Sequence, residues 1–309
     1  MADCGLICIV EWLVHASYLL CLPVYVSVVV VLVVQHRTTL KGSFFLLCIS
    51  LGLADIGSSV YEVSMRRLPL FFWNHVPASH AFIDTTWFQT LSKMNGWAWY
   101  YVQVFGMVLL CANRFSSIVW FTSYQLIWTR KVLIIAVAFQ WFWLFPFALP
   151  MLHPCCRSEL DNNVTLLPSF QDPEGSMMYL AVTVVMECFI IGPSLVTAHL
   201  IMIYKVWRSN SQQLTAQQKI QRTGERNLAI MGGVLCSCYL YLNLNYIHML
   251  VFGEWLDGMG GFTAMPAIAL FTNLNPFLLL TFSSKFREAY SSFWCRSKVT
   301  TSQVVPLNA

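Results

Sequence analysis

Residues 13–34 read LVHASYLLCLPVYVSVVVVLVV, a run in which no side chain is acidic, lysine or arginine. A helix needs about 20 mostly apolar residues to cross a hydrocarbon core roughly 30 Å thick. The run is long enough for such a crossing, and it lacks the alternation of a strand in a membrane barrel. Asp3 and Glu11 precede it, where a cleaved signal would carry basic residues, so we predict a retained membrane-spanning helix.

The whole chain has the composition of a protein that is dissolved in lipid. Of its 309 residues, 57% are hydrophobic and 10% are charged, and the mean hydropathy is +0.62. Soluble domains carry about 25% charged residues. We predict seven spans at residues 13–34, 43–63, 93–119, 131–152, 177–206, 227–252 and 261–282. The predicted fold is an all-α seven-transmembrane helix bundle over residues 1–283.

The segment after the seventh predicted span has a different character. Phe286, Tyr290 and Phe293 recur at helical spacing among polar and basic residues. This pattern is typical of a short amphipathic helix on the inner membrane surface. We therefore predict that residues 284–309 form such a helix followed by a short disordered tail, with Cys295 as a candidate palmitoylation site.

Basic and acidic residues are divided unequally between the two ends of the predicted bundle. Fourteen of the 18 Lys and Arg residues fall in the connections and tail on one side, and ten of the 14 acidic residues fall on the other. Because basic connections remain in the cytoplasm, we predict an outside amino terminus and a cytoplasmic carboxyl terminus. The net charge of +4 is too small and too dispersed to indicate a nucleic-acid partner.

Two features belong to the predicted outer side. Asn163 begins an Asn-Val-Thr sequence, which is a glycosylation acceptor pattern. The cysteines on this side are candidates for disulfides of open connectivity, and they are Cys4, Cys8, Cys155 and Cys156. No cysteine or histidine spacing indicates a metal site, so we predict neither metal nor cofactor.

Two carboxylates fall within predicted spans, Asp55 in the second and Glu187 in the fifth. A charged side chain at the centre of a bilayer costs about 2.5–3.5 kcal/mol, so both should face the interior of the bundle. Asp55 is either a neutral hydrogen-bonded side chain or part of a functional polar core. Glu187 contacts a ligand, bonds a neighbouring span or is protonated.

One face of the third span combines polar and aromatic side chains in its outer half. This pattern is typical of a ligand cavity that opens outward, but an aromatic belt at the membrane surface produces it equally well. With side chains from the fifth and sixth spans, the candidate ligand pocket comprises Trp97, Tyr100, Tyr101, Gln103, Glu187, Tyr246 and His248.

Short motifs at the expected depths resemble those of a G-protein-coupled receptor. Asp55 lies in the second span, Asn113-Arg114-Phe115 closes the third, and Asn275-Pro276 interrupts the seventh. The stretches GSFF at 42–45 and NRFSSIV at 113–119 further resemble the nematode-type serpentine chemoreceptors of the Srg superfamily. Within that superfamily the chain is more similar to class V than to class gamma.

The resemblance implies a function and a set of roles. Asn113, Arg114, Asp55, Asn275 and Pro276 would form an activation switch. A small-molecule agonist would bind from outside, and a heterotrimeric G protein would bind at the cytoplasmic end. The resemblance also implies a chemosensory receptor in the plasma membrane of a sensory cell, with no enzymatic activity.

Two other functions are compatible with seven spans. A transporter or ligand-gated channel should show an internal repeat or paired broken helices around charges at the midplane. A membrane enzyme should show a nucleophile and base, or a set of metal ligands, at one depth. The sequence shows neither pattern, so a receptor is favoured.

Overall fold

A computed structural model of the chain describes residues 2–67, 85–142, 158–160, 168–170, 181–182, 184–209, 216–252 and 259–295. Its helices are α1 (Ala2–Gln35), α2 (Ser43–Tyr61), α3 (Thr86–Val119), α4 (Tyr124–Ile127), α5 (Arg130–Phe142), α6 (Gly192–Ser209), α7 (Ala216–Phe252), α8 (Met259–Asn273), α9 (Asn275–Phe282) and α10 (Ser284–Cys295). Wider π-helical turns follow α2 at Glu62–Arg67 and precede α6 at Met186–Ile191. Two short antiparallel strands, β1 (Ser158–Leu160) and β2 (Pro168–Phe170), lie in the connection after α5.

Most of the predicted spans correspond to long helices. In the described part of the chain, five stretches are long and apolar enough to cross a bilayer: Trp12–Gln35, Ser43–Met65, Met94–Val119, Met186–Arg208 and Arg226–His248. They match the first, second, third, fifth and sixth predicted spans. Helix α5 covers the fourth predicted span as far as Phe142, where this described range ends.

The seventh predicted span is divided between α8 and α9 at Leu274. Pro276, in the first turn of α9, has no backbone N–H to donate and so interrupts regular helical bonding. Hydrogen bonds nevertheless continue on both sides, with the Leu274 N–H donating to the Leu270 carbonyl over 3.0 Å. The interruption places two asparagines, Asn273 and Asn275, in the buried interior.

The long helices close into a ring of which α3 is a member. Helix α1 packs against α2, α2 against α3, and α3 against α6. Helix α6 then packs against α7, α7 against α8, and α8 against α1. Because α3 also contacts α5 and α7, side chains on its buried face can reach most of the bundle.

Polar side chains face the interior of this bundle and many large apolar side chains face outward. Leu20 and Phe189 are each 74% exposed. The buried polar side chains include Asp55, Gln103, Asn113, Gln140, Glu187 and Thr272. Buried polar side chains within an apolar core, together with many large apolar side chains on the outside, suit a bundle surrounded by lipid.

Helix α10 covers the segment for which the sequence predicts an amphipathic helix. Phe286 is fully buried beneath it. The hydroxyl groups of Tyr290 and of Ser27 in α1 lie 3.0 Å apart. These contacts hold α10 against the end of the bundle at which α1 ends and α2 begins.

Candidate functional site

Asp55 lies where four spans meet. The hydroxyl of Tyr25 in α1 and Nδ2 of Asn275 in α9 both donate to its Oδ2. Nε2 of Gln103 in α3 donates to Oδ1 over 2.7 Å, and lies 3.3 Å from Oγ1 of Thr272 in α8. We call these five residues the polar core. Both oxygens of the Asp55 carboxyl group accept hydrogen bonds from neutral side chains, so the group is well accommodated by packing alone.

Helical spacing explains why Gln103 reaches this position. Tyr100, Gln103, Met107 and Cys111 follow one another at intervals of three or four residues along α3. Each is at most 8% exposed. The face that the sequence singled out on the third span is therefore the buried face of the central helix.

Glu187 is at the centre of a second buried group. The hydroxyl of Tyr100 donates to its Oε2 over 2.6 Å. The Tyr100 ring lies 5.9 Å from the ring of Tyr246 and 6.4 Å from that of Phe271. We call this group the Glu187 cluster, and it consists of Glu187, Tyr100, Tyr101, Tyr239, Tyr246 and Phe271.

The turn that carries Glu187 is wider than a regular α-helical turn. The N–H of Gly192 donates to the carbonyl of Glu187, five residues earlier. Pro193 follows and cannot donate to the carbonyl four residues before it. A π-helical turn accommodates this missing donor, and such turns are frequent at functional sites. Glu187 is left facing the interior, where it is 1% exposed.

The Glu187 cluster and the polar core are one helical turn apart and share two helices. On α3, Tyr100 precedes Gln103 by three residues, which is about 4.5 Å along the axis. On α8, Phe271 contacts Tyr100, and the next residue, Thr272, lies beside Gln103. The Glu187 cluster and the polar core are therefore adjacent inside the bundle, next to each other along both α3 and α8.

A third buried network attaches α5 to the bundle. The hydroxyl of Ser50 in α2 donates to Oε1 of Gln140 over 2.8 Å. Nε2 of Gln140 donates in turn to the carbonyl of Val102 in α3 over 3.2 Å. Nε1 of Trp141 donates to the Ser50 hydroxyl over 3.0 Å. These bonds join the second, third and fourth spans at a position that the sequence analysis did not single out.

Asn113 joins three elements at the opposite end of α3 from Thr86. Its Nδ2 donates to the hydroxyl of Ser43, the first residue of α2, over 2.9 Å. The hydroxyl of Tyr124 in α4 donates to Oδ1 of Asn113 over 3.3 Å and lies 2.7 Å from the Ser43 hydroxyl. Asn113, the residue before Arg114, thus attaches α4 and α2 to α3 through its hydrogen bonds. This attachment does not need an ion pair.

Arg114 lies beside this network. Its guanidinium carbon is 3.3 Å from the centroid of the Phe44 ring, which is a cation–π arrangement. Arg114 also lines a small cavity of about 30 Å³ between α3, α6 and α7, together with His199 and Gly232. Within the described residues, Nε2 of His199 is buried without a hydrogen-bond partner.

Comparison with protein families matches residues 15–295 to the family described as serpentine type 7TM GPCR chemoreceptor Srv. The match includes every residue of the polar core and of the Glu187 cluster. The chain belongs to this family. Among curated proteins, serpentine receptor class V-1 of Caenorhabditis elegans is 28% identical over 135 residues, which is 43% of this chain. The match spans 42% of the length of that Srv relative.

Membership of the Srv family confirms the resemblance to class V and the seven-transmembrane fold that the sequence predicts. It places the chain among chemoreceptors of the membrane.

The structure brings together most of the predicted pocket residues of this Srv chain. Tyr100, Tyr101, Glu187 and Tyr246 all belong to the Glu187 cluster. Gln103 is one turn away and takes part in the polar core instead. His248 is exposed near the end of α7, so it does not face the cluster.

The predicted switch residues fall into two separate groups. Asp55 and Asn275 are in direct contact, and Pro276 lies in the turn that presents Asn275. Asn113 and Arg114 lie at the end of α3, beyond Met107 and Cys111. The hydrogen bonds of Asn113 go to Ser43 and Tyr124, whereas Asn275 bonds Asp55, so the two groups are anchored separately.

Several predicted sites lie outside the part of the chain that the structure describes. These are Cys155, Cys156, Asn163, the tail from residue 296, and the side chains of Cys4, Cys8 and Trp97. Cys295 is described, and it is an exposed free cysteine at the end of α10.

The sequence analysis missed important partners of the predicted residues. Tyr25 and Thr272 complete the polar core, Tyr239 and Phe271 complete the Glu187 cluster, and Gln140 attaches α5. A usable signal existed for Tyr25 and Gln140, because a polar side chain in an otherwise apolar span has to find a partner inside the bundle. Tyr239 and Phe271 cannot be singled out in this way, because most buried aromatic rings simply pack in the hydrophobic core.

A pair of adjacent glycines in α7 provides a matched test of how α6 and α7 pack. A Cβ atom added to Gly232 would lie 2.7 Å from Nε2 of His199, whereas one added to Gly233 meets nothing within 4 Å. The His199 ring is buried, and its Nδ1 lies 2.8 Å from the Leu195 carbonyl, so it cannot retreat freely. We expect Gly232→Ala to lower the free energy of unfolding by about 1–3 kcal/mol.

The control is Gly233→Ala, which should leave stability unchanged or raise it by up to about 1 kcal/mol. Both variants would be compared by thermal unfolding of the purified protein in detergent micelles. Equal midpoints for the two variants would show that His199 does not limit the approach of α6 to α7.

Proposed function

We propose that this Srv receptor lies in the plasma membrane of a sensory cell with its amino terminus outside. An extracellular small molecule binds at the Glu187 cluster, and a heterotrimeric G protein binds at the end that holds Arg114. One observation carries the proposal: Tyr100 bonds Glu187 and its ring packs near Phe271, and the residue that follows Phe271 on α8, Thr272, lies beside Gln103, which bonds Asp55.

These contacts provide a route by which a ligand can alter the packing of the bundle. A ligand shifts a conformational equilibrium only if it binds one state better than the other. A ligand that displaces the Tyr100 hydroxyl from Glu187 would move a ring that touches Phe271. Because the donors to Asp55 come from α1, α3 and α9, a change there is transmitted to three helices at once.

The distribution of charge supports a cytoplasmic location for the Arg114 end. Exposed basic side chains are concentrated there, and they include Arg37, Lys41, Arg130, Lys131, Lys205 and Arg208. Nζ of Lys205 donates to the carbonyl of Val119, the last residue of α3, over 3.0 Å. Basic residues next to spans favour the cytoplasmic side of a membrane.

The proposal is tested by reconstituting the purified chain in lipid nanodiscs with purified heterotrimeric G proteins. Nucleotide exchange on the G protein would be measured first without any ligand, because receptors populate their active state to a small extent spontaneously. Exchange above that of empty nanodiscs is expected for at least one class of G protein. No acceleration with any class would count against G-protein coupling.

Replacement of Arg114 by alanine tests the assignment of the inner end. The variant loses the guanidinium group that the family resemblance assigns to the inner-end switch, together with its stack on Phe44. We expect the rate of nucleotide exchange to fall by about tenfold, the effect of roughly 1.4 kcal/mol.

The matched control is Lys285→Ala, which removes an exposed positive charge from α10. Its exchange rate should stay within about twofold of the parent protein, as expected for an exposed side chain. Thermal unfolding of both variants would show whether either change acts through stability. An unchanged rate in Arg114→Ala would remove this residue from the proposed switch.

A further inference from the structure

The carboxyl group of Glu187 is not fully accounted for by the packing around it. Its Oε2 accepts a hydrogen bond from Tyr100 over 2.6 Å. Its Oε1 is buried and accepts no hydrogen bond within 3.5 Å in the described part of the chain, while the Tyr101 hydroxyl lies in the neighbourhood of the carboxyl group. Asp55, one turn away, has donors to both of its oxygens. The two buried carboxyl groups therefore differ in how completely their oxygens are hydrogen-bonded.

The immediate surroundings of Glu187 are aromatic. Tyr100 and Tyr101 lie beside the carboxyl group, and Tyr239 and Tyr246 from α7 complete the ring cluster around it. Across the described residues, no lysine, arginine or histidine pairs with Glu187. The side chain thus combines an acceptor that has no hydrogen bond, ring faces and the absence of a competing cation.

These three features together fit one class of ligand. A protonated amine supplies the opposite charge, a donor for Oε1, and the attraction of a cation to the faces of aromatic rings. An alcohol would supply the donor alone, and an acid would be repelled by the carboxylate. We propose that the Glu187 cluster binds a small ligand through its ammonium group. This inference rests on the proposed function, because it names the ligand class of the site proposed above.

The distribution of charge along the chain favours the same class. The segments that the sequence assigns to the outer side contain ten acidic residues and four basic ones. A surface with this balance raises the local concentration of cations. A protonated amine would therefore be attracted to the end of the bundle that lies nearer to the Glu187 cluster.

The test is a comparison of matched probes on the purified full chain in detergent micelles. The probes are phenethylamine, hexylamine, the corresponding alcohols phenethyl alcohol and hexanol, and phenylacetate. Binding would be followed by the rise in the thermal unfolding midpoint, because a ligand that binds only the folded state stabilises it. We expect at least one amine to bind about tenfold more tightly than its alcohol, and phenylacetate not to bind.

Two variants link the preference to the cluster. Glu187→Gln keeps the size of the side chain and an acceptor for Tyr100 but removes the charge, so the tenfold preference for the amine should disappear. Tyr246→Leu removes a ring and keeps the carboxyl group, so amine binding should weaken by about threefold to tenfold, as expected for one cation–π contact. Ser237→Ala is the control, because Ser237 is exposed on α7 and its hydroxyl donates to the Gly233 carbonyl outside the cluster, and it should retain the preference. The midpoint without ligand shows that each variant is folded.

The proposal would be overturned if alcohols bind as tightly as amines, if Glu187→Gln retains the preference, or if no amine binds at about 1 mM. These measurements use no G protein, so their outcome is separate from that of the proposed function. Amine binding without nucleotide exchange would argue against G-protein coupling alone. Exchange driven only by neutral or acidic compounds would refute the amine site and leave the receptor function intact.

Discussion

Asp55→Ala should lower the free energy of unfolding of the receptor by about 3 kcal/mol. The substitution removes the acceptor for Tyr25, Gln103 and Asn275, which come from three different helices. A buried donor that is left unpaired costs about 1–3 kcal/mol, although hydrogen bonds between membrane helices are often weaker. Gln103 can still bond Thr272, so Tyr25 and Asn275 account for most of the loss. Thermal unfolding in detergent micelles would measure the effect.

Ser59→Ala is the matched control for this substitution. Ser59 lies one turn beyond Asp55 on α2 and is 1% exposed, but in the described part of the chain its hydroxyl donates to the backbone carbonyl of Asp55 within the same helix. Its removal should cost less than about 1 kcal/mol. Equal losses in the two variants would mean that the polar core contributes no bonding between helices.

A double-mutant cycle tests the contact between Tyr25 and Asp55. In the Asp55→Ala background, Tyr25→Phe should cost little, because the hydroxyl has already lost its acceptor. In the parent protein the same change should cost about 1–2 kcal/mol. Additive losses would indicate that Tyr25 and Asp55 do not interact in the folded receptor.

Gly57→Ala should lower the free energy of unfolding by about 2–3 kcal/mol. An added Cβ atom would lie between 2.3 and 2.8 Å from three carbon atoms of the Trp99 ring. That ring is rigid, and Trp141 packs against it edge-on, with a centroid distance of 6.0 Å. Trp141 is itself bonded to Ser50, so the ring has to move against the contacts that hold α5. The change in the thermal unfolding midpoint would report the cost.

The cause of this loss can be separated from other effects of the added methyl group. Gly233→Ala introduces the same group into open space on α7 and controls for helix propensity. In a Trp99→Leu background, Gly57→Ala should cost less than about 0.5 kcal/mol, because the ring that it meets is gone. A full loss in that background would show that the Trp99 ring is not what limits the approach of α2 to α3.

The two buried carboxyl groups suggest a division between stability and function. Asp55 has donors to both oxygens, so its contacts favour one arrangement of the helices. Glu187 has one hydrogen bond from Tyr100 and an oxygen that lacks one. A polar group that is incompletely satisfied lowers stability, and natural proteins tolerate such groups mainly where a function requires them. The contrast is why we assign ligand binding to Glu187 and structural coupling to Asp55.

Much of the architecture is predictable because it depends on local properties of the chain. The length of an apolar run decides whether a helix can cross a bilayer, and the spacing of Tyr100, Gln103 and Met107 decides which face of α3 is buried. The interruption of the seventh span follows from Pro276, which has no N–H. These inferences need no knowledge of the neighbouring helices.

The pairing of side chains was not predictable in the same way. Tyr25 is separated from Asp55 by 30 residues, Gln103 by 48 and Asn275 by 220. His248 has a suitable residue type and span, but its position on α7 leaves it exposed. A rotation of one helix by a fraction of a turn exchanges buried and exposed positions, and one sequence does not determine that rotation.

The sequence by itself determined that lipid surrounds this protein, how many helices cross it, and that two carboxyl groups must lie inside the bundle. The cost of placing charged groups in hydrocarbon is sufficient for each of these conclusions. Only the tertiary structure decided that Asp55 is fully hydrogen-bonded and that one oxygen of Glu187 lacks a hydrogen bond among rings. That difference depends on distances of a few tenths of an ångström between atoms on separate helices, and the packing of the whole bundle sets those distances.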